Sequence, residues 1–134
     1  MKHIVVVAPD KTGLLADISY LLGKAKINLE NVSLEVVGEK SIVHIFVKNE
    51  EKASKILSAN GYSVLASDHL VIRIKNKPGE FSKAASLLKK EGIRITAATL
   101  ITKGEMYHIY SLVTDKHRKS EKVLSEYIWV DDYL

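Results

Sequence analysis

Val5-Val6-Val7-Ala8-Pro9-Asp10-Lys11-Thr12-Gly13-Leu14-Leu15 returns later in the chain as Val71-Ile72-Arg73-Ile74-Lys75-Asn76-Lys77-Pro78-Gly79-Glu80-Phe81. Each stretch leaves a β-branched strand, turns at a glycine and enters a segment of helical apolar spacing. Outward from this pair, at the spacing of Val5 to Val71, no gap is needed until the second helix of each copy. Leu21-Leu22 meets Leu87-Leu88, Ile27 meets Ile93, Leu34 meets Leu100, Gly38-Glu39 meets Gly104-Glu105 and Val47 meets Val113. The matches fall on turn glycines and core apolar positions. A repeat of roughly 65 residues is a small domain, far longer than a solenoid unit. At that size a core is marginal, so the halves are expected to pack on each other or on a second chain.

The pattern predicts a strand over Ile4–Ala8, ended by Pro9-Asp10, and then a helix carrying Leu15, Ile18, Leu21, Leu22 and Ala25 on one stripe. Strands follow at Leu29–Val37 and Ser41–Lys48 about a Gly38-Glu39-Lys40 hairpin. Asn49 caps a helix over Glu50–Asn60, and Tyr62–Ala66 is a last strand. The second copy reads His69–Lys75 strand, Pro78–Glu91 helix, Arg94–Thr102 and Glu105–Thr114 strands, Lys116–Glu126 helix and a closing strand at Ile128–Val130. In that last helix the repeat slips by one, Ile56-Leu57 matching Val123-Leu124. The expected domains are residues 1–66 and 69–134, joined by Ser67-Asp68.

The order β-α-β-β-α-β, written twice, is the ferredoxin-like split βαβ, an α+β fold. The short linker predicts two tandem domains forming a side-by-side antiparallel sheet with the helices on one face. Both faces of the third strand are apolar: Val43, Ile45 and Val47 on one, Ile42 and Phe46 on the other. An open sheet face of that kind is expected to be an exposed patch unless something covers it, which points to self-association, most simply a homodimer.

Composition excludes several classes. With no cysteine there is neither disulfide nor thiol chemistry, and a cytoplasmic location is the simple expectation. The apolar start stops at Pro9, too early for a signal peptide, and no run approaches the ~18 apolar residues of a membrane span. The net charge of +4 comes mostly from lysines beside glutamates, and Lys116-His117-Arg118-Lys119 reads as a solvated helix face followed by Glu121 and Glu126. Five histidines show no i,i+4 pair, no serine sits in a G-x-S-x-G turn, and no carboxylate pair stands out as acid and base. No catalytic residue, metal or cofactor is expected.

The segments that can carry chemistry are the loops before the first helix of each copy: Pro9 to Leu15 and Lys75 to Phe81. A glycine there lets the chain turn and a ligand approach, and a helix start offers unpaired N–H groups suited to a carboxylate. The start of the second strand, Asn28-Leu29 or Arg94-Ile95, is expected beside the loop; Asn28 can bond an amine or a carboxylate, and Arg94 can clamp a carboxylate. The competing reading makes Gly13 and Gly79 plain turn glycines and Asn28 and Arg94 plain surface residues.

Asp10-Lys11-Thr12-Gly13-Leu14-Leu15-Ala16-Asp17-Ile18, followed by Leu21-Leu22 and Ile27-Asn28-Leu29-Glu30-Asn31-Val32, resembles the ACT domain signature. Asn76-Lys77-Pro78-Gly79-Glu80-Phe81, with Leu87-Leu88 and Gly92-Ile93-Arg94-Ile95, resembles it again. The resemblance implies a small stand-alone pair of ACT domains with no attached catalytic domain. It implies amino-acid binding at a domain or subunit interface by Asp10, Lys11, Thr12, Gly13, Leu14 and Leu15 with Asn28 and Leu29, and by Asn76, Lys77, Pro78, Gly79, Glu80 and Phe81 with Arg94 and Ile95. It also implies regulation of a partner in amino-acid metabolism, an enzyme or a transcriptional regulator. The two copies depart from each other. Arg94 stands for Asn28, Pro78 replaces Thr12 and its N–H, and Lys26 occupies a place where glycine, like Gly92, is usual. The sites are therefore expected to be unequal.

Two rivals come from other classes. RNA-recognition domains share the topology, but Glu105 stands where a stacking aromatic is needed, so direct nucleic-acid binding is not expected. A protein-interaction module with a degenerate ligand site is the main alternative.

Overall fold

The computed structural model describes residues 3–128, and the chain divides after Ser67 into two compact units. The first runs β1 (His3–Pro9), α1 (Leu14–Lys24), β2 (Asn31–Val37), β3 (Lys40–Phe46), α2 (Glu50–Ala59) and β4 (Ser63–Leu65). Its sheet has the order β2-β3-β1-β4 with every pair antiparallel, the ferredoxin-like arrangement. Alternation along the strands decides which residues meet the helices. Ile4, Val6 and Ala8 of β1 and Val43 and Ile45 of β3 pack with Leu14, Ile18 and Leu22 of α1 and Ala53 and Leu57 of α2 in one core. Both helices therefore lie on one face of this sheet. Asn49 caps α2 as its sequence position suggests, accepting from the amide of Lys52 at 3.1 Å.

The second unit runs β5 (Leu70–Lys75), α3 (Glu80–Lys90), β6 (Ile95–Lys103), β7 (Tyr107–Thr114) and α4 (His117–Val123). Its sheet is β5-β7-β6, antiparallel, with irregularities in β6 at Ile95/Ala97 and Leu100/Thr102. The core joins Leu70, Ile72 and Ile74 to Ala84 and Leu88, with Leu112 and Leu124. The one-residue slip sets Ser120 where the first copy has Ala53, and both are fully buried. A buried hydroxyl needs partners. Ser120 donates to the Lys116 carbonyl at 2.8 Å and meets the Thr114 hydroxyl at 2.6 Å.

The copies end differently. The last helix stops at Val123, short of the expected Glu126, because the Tyr127 amide turns back to the Leu124 carbonyl at 2.8 Å. Among the described residues the closing segment pairs with β5 through an Ile72–Ile128 bridge and an Arg73 amide donating to the Tyr127 carbonyl at 2.8 Å. Residues 129–130 of that expected strand lie outside the described residues. Among the described residues no helix is long and apolar enough to cross a membrane.

The second face of β3 corrects one expectation. Ile42 and Phe46 are not an exposed patch: they are 0% and 3% exposed, and His44 between them is 2% exposed. His3 on β1 shares their face and stacks on Phe46 at 4.9 Å and on His44 at 5.3 Å. Burial, reinforced by the charge of His3, lowers the His44 pKa to about 3, so this imidazole is neutral in the fold. Of the large apolar residues that do stay exposed, Leu34 and Val36 lie on the edge strand β2 and Leu100 on the edge strand β6, with Tyr20 and Leu87 on helices and Met106 between β6 and β7.

Candidate functional site

The two loops between first strand and first helix share one backbone. Gly13 has φ 83° and ψ 4°, and Gly79 has φ 83° and ψ −6°, both left-handed. That region costs a residue with a Cβ about 1–2 kcal/mol, which is why glycine recurs in both copies. A Cβ built on either glycine meets nothing within 4 Å, so the space beside each turn is open.

Immediately after the glycine the helix begins without a side-chain cap in either copy. In the first, the Leu14 amide turns back to the Lys11 carbonyl at 3.4 Å, and the first full helical bond is from the Asp17 amide to the Gly13 carbonyl at 2.9 Å. The amides of Leu15 and Ala16 have no acceptor inside the helix, as in any first turn. An uncapped start with open space in front can accept an anion at the positive end of the helix dipole. Lys11 reaches Asp17 at 3.4 Å, offsetting the first-turn carboxylate.

Each loop is anchored to the hairpin of its own unit. The Asp10 amide donates to the Glu39 carbonyl at 3.0 Å, and the Ser41 hydroxyl donates to Asp10 Oδ1 at 3.3 Å. In the second copy the Asn76 amide donates to the Met106 carbonyl at 2.9 Å, and its side-chain nitrogen donates to the Glu105 carbonyl at 3.2 Å. Thr12, Gly13, Pro78 and Gly79 are exposed, and Leu14 is buried in the core. Leu15 packs against the core of the first unit, and Phe81 against that of the second, 4.6 Å from the Tyr110 ring.

The strand starts are elsewhere, which corrects the expectation that they lie beside the loops. The 11 residues of α1 separate Gly13 from Asn28, a rise of about 16 Å. The helix carries the chain to the opposite end of the sheet before β2 begins, so the loop neighbours the end of β2 and the β2–β3 hairpin. Asn28 is exposed there, with Leu29 packed on the core next to it. Arg94 occupies the matching place in the second unit, bound through its amide to Asp115 Oδ1 at 2.9 Å, with Ile95 on the core. Within a unit the loop residues are brought together and the strand-start residues are not brought to them.

The copies differ at the helix start. Where the first has the buried Leu14, the second has Glu80, whose carboxylate meets Lys83 at 3.6 Å. A fixed carboxylate there competes with a ligand carboxylate, a second reason beside Pro78 for unequal sites. Sequence reading passed over Ser41 and the hairpin carbonyls of Glu39, Glu105 and Met106, which fix the loops. The only available signal was the shared Gly38-Glu39 and Gly104-Glu105 of the repeat.

The family profile described as an ACT domain pair matches residues 1–127. No curated protein gives a significant match. Similar solved structures include a protein of Bacteroides thetaiotaomicron, 24% identical, covering 92% of this chain and 85% of that one, with a TM-score of 0.48. They also include the ligand-free regulatory subunit of aspartate kinase from Thermus thermophilus, 14% identical, covering 92% and 90%, TM-score 0.42. A third is the acetolactate synthase small subunit from Thermotoga maritima, 12% identical, covering 94% and 86%, TM-score 0.40.

Proposed function

Because the chain belongs to the ACT domain family, as a pair of such domains, we propose that it is a regulatory amino-acid-binding protein without catalytic activity of its own. The ligand is a small amino acid. Its carboxylate sits at the uncapped start of α1, on the amides of Leu15 and Ala16, in the open space beside Gly13. Asp10, held by Ser41 and the Glu39 carbonyl, faces the amine. The observation that carries this reading is the pair of left-handed glycines, each opening an uncapped helix onto free space.

Asn28 lies beyond the far end of α1, whose 11 residues rise about 16 Å from the loop of the same unit, so one small amino acid touches both only when a second copy of the fold supplies the strand start. That requirement, with the open edge residues Leu34, Val36 and Leu100, supports a homodimer. The bound state is then read by a partner, an enzyme or transcriptional regulator of amino-acid metabolism, in the cytoplasm. The protein-interaction reading keeps the same surface without a ligand.

A melting-temperature screen against the twenty amino acids separates the two. Binding to the folded state raises the midpoint, by roughly 2.7 kcal/mol of stability at a hundredfold excess over Kd. One or a few small amino acids should shift the wild-type protein and fail to shift Gly13→Val. No shift at millimolar concentration leaves the interaction module.

A further inference from the structure

At the end of the first unit away from the Gly13 loop, a cavity of about 270 Å³ opens between the end of α1, the approach to β2 and the start of α2. Its lining includes three lysines, Lys26, Lys48 and Lys52, against a single carboxylate, Glu30. Its volume is near the low end of small-ligand pockets, roughly 300–1,000 Å³. Among the described residues none of the three lysines forms an ion pair with a carboxylate; the nearby Glu51 is turned to Lys55 at 3.3 Å. Lys52 is held by donating from Nζ to the Ala25 carbonyl at 3.3 Å. Ammonium groups gathered round one concavity repel one another and raise the local anion concentration.

The second unit shows that the fold does not need this charge. Lys26 is the one non-glycine residue with positive φ among those described, at 60°, and its counterpart Gly92 has φ 70°. A lysine is thus kept in a conformation suited to glycine. Lys48 corresponds to Thr114, and Asn49 to Asp115, whose carboxylate accepts from the Arg94 amide. Lys26 and Lys48 have no cationic counterpart there and Asp115 is added, while Arg94 replaces Asn28 and Thr96 replaces Glu30, so the net positive charge is smaller and differently placed.

We propose that this cavity is a second ligand site, taking a small phosphate-bearing anion. Three ammonium groups are compact point charges that suit the spread charge of a phosphate, whereas planar carboxylate recognition favours arginine forks, of which the cavity has none. The side-chain amide of Asn49, also in the lining, supplies a neutral donor. The site does not rest on the amino-acid reading.

Titration calorimetry with inorganic pyrophosphate on the full chain tests it. Saturable binding of one pyrophosphate per chain is expected, weakening with salt. Lys26→Gly should lower the affinity at least tenfold while leaving the melting temperature unchanged or higher, since glycine suits that backbone. Lys48→Ala should also lower it, and Gly13→Val should bind pyrophosphate as the wild type does. No saturable binding to the wild type overturns the proposal, as does an affinity untouched by both lysine changes. An equal loss from Lys119→Ala in the second unit would reduce it to general surface charge. Malonate binding as tightly as pyrophosphate would overturn the phosphate assignment.

Discussion

Gly13 and Lys26 bracket α1 and share a left-handed backbone, yet they stand in opposite relations to it. At Gly13 the conformation is free and a side chain is costly. Gly13→Ala should lose about 1–2 kcal/mol in urea unfolding, because the added Cβ meets no atom within 4 Å and only the backbone objects. At Lys26 the cost is already present, so Lys26→Gly should gain or hold stability in the same measurement. His44 gives a pH signature. Its pKa falls from 6.5 to about 3, chiefly through burial. The unfolded chain therefore binds a proton that the folded chain refuses between those values. Stability should drop as pH falls through that window, with a slope of up to roughly 1.4 kcal/mol per pH unit. His44→Leu should flatten that slope in pH-dependent melting, while a profile unchanged by the substitution would show that another group carries it. The glycines were legible because a repeated turn glycine has one physical meaning. The neutrality of His44 was not, because it depends on what buries the ring, and alternation along β3 does not report that.

Elements were legible wherever periodicity and caps agreed. The α1 stripe of Ile18 and Leu22, the Asn49 cap and both hairpins stand within a residue or two of their sequence signals. The last helix was overextended, because its apolar spacing continues past Val123 while the Tyr127 amide closes a turn on Leu124. The sequence also misplaced Asn28 relative to Gly13. Adjacency in a motif does not reveal that a helix of 11 residues has carried the chain across the sheet. Leu57, fully buried between α2 and the sheet, should cost about 2–5 kcal/mol as Leu57→Ala. Ser120→Ala should cost no more than about 1 kcal/mol, since the first unit accommodates Ala53 at the same place and only the hydroxyl bonds are lost. Urea midpoints for the pair rank these two costs directly.

For the whole molecule, the repeat explains both the economy of the chain and the inequality of its halves. One loop geometry is used twice, while the chemistry around it diverges: Leu14 against Glu80, Thr12 against Pro78, Asn28 against Arg94. Two units of one fold were legible from the matched cores. The exposure of Leu34 and Val36 was not, because their alternation marks only which face of β2 they join, and this strand lies at a sheet edge. Leu34→Lys should shift light-scattering mass toward monomer if that edge joins two chains, and a wild-type mass already monomeric at micromolar concentration would remove the dimer. The central claim is that an amino-acid carboxylate rests on the start of α1. Amide chemical shifts of the full chain, recorded while adding the amino acid that most raises the melting temperature, test it most directly. The Gly13, Leu15 and Ala16 amides should move first and saturate together, with smaller changes at Gly79 and Phe81. Saturating shifts confined to other residues, or larger at the Gly79 turn than at Gly13, would contradict it.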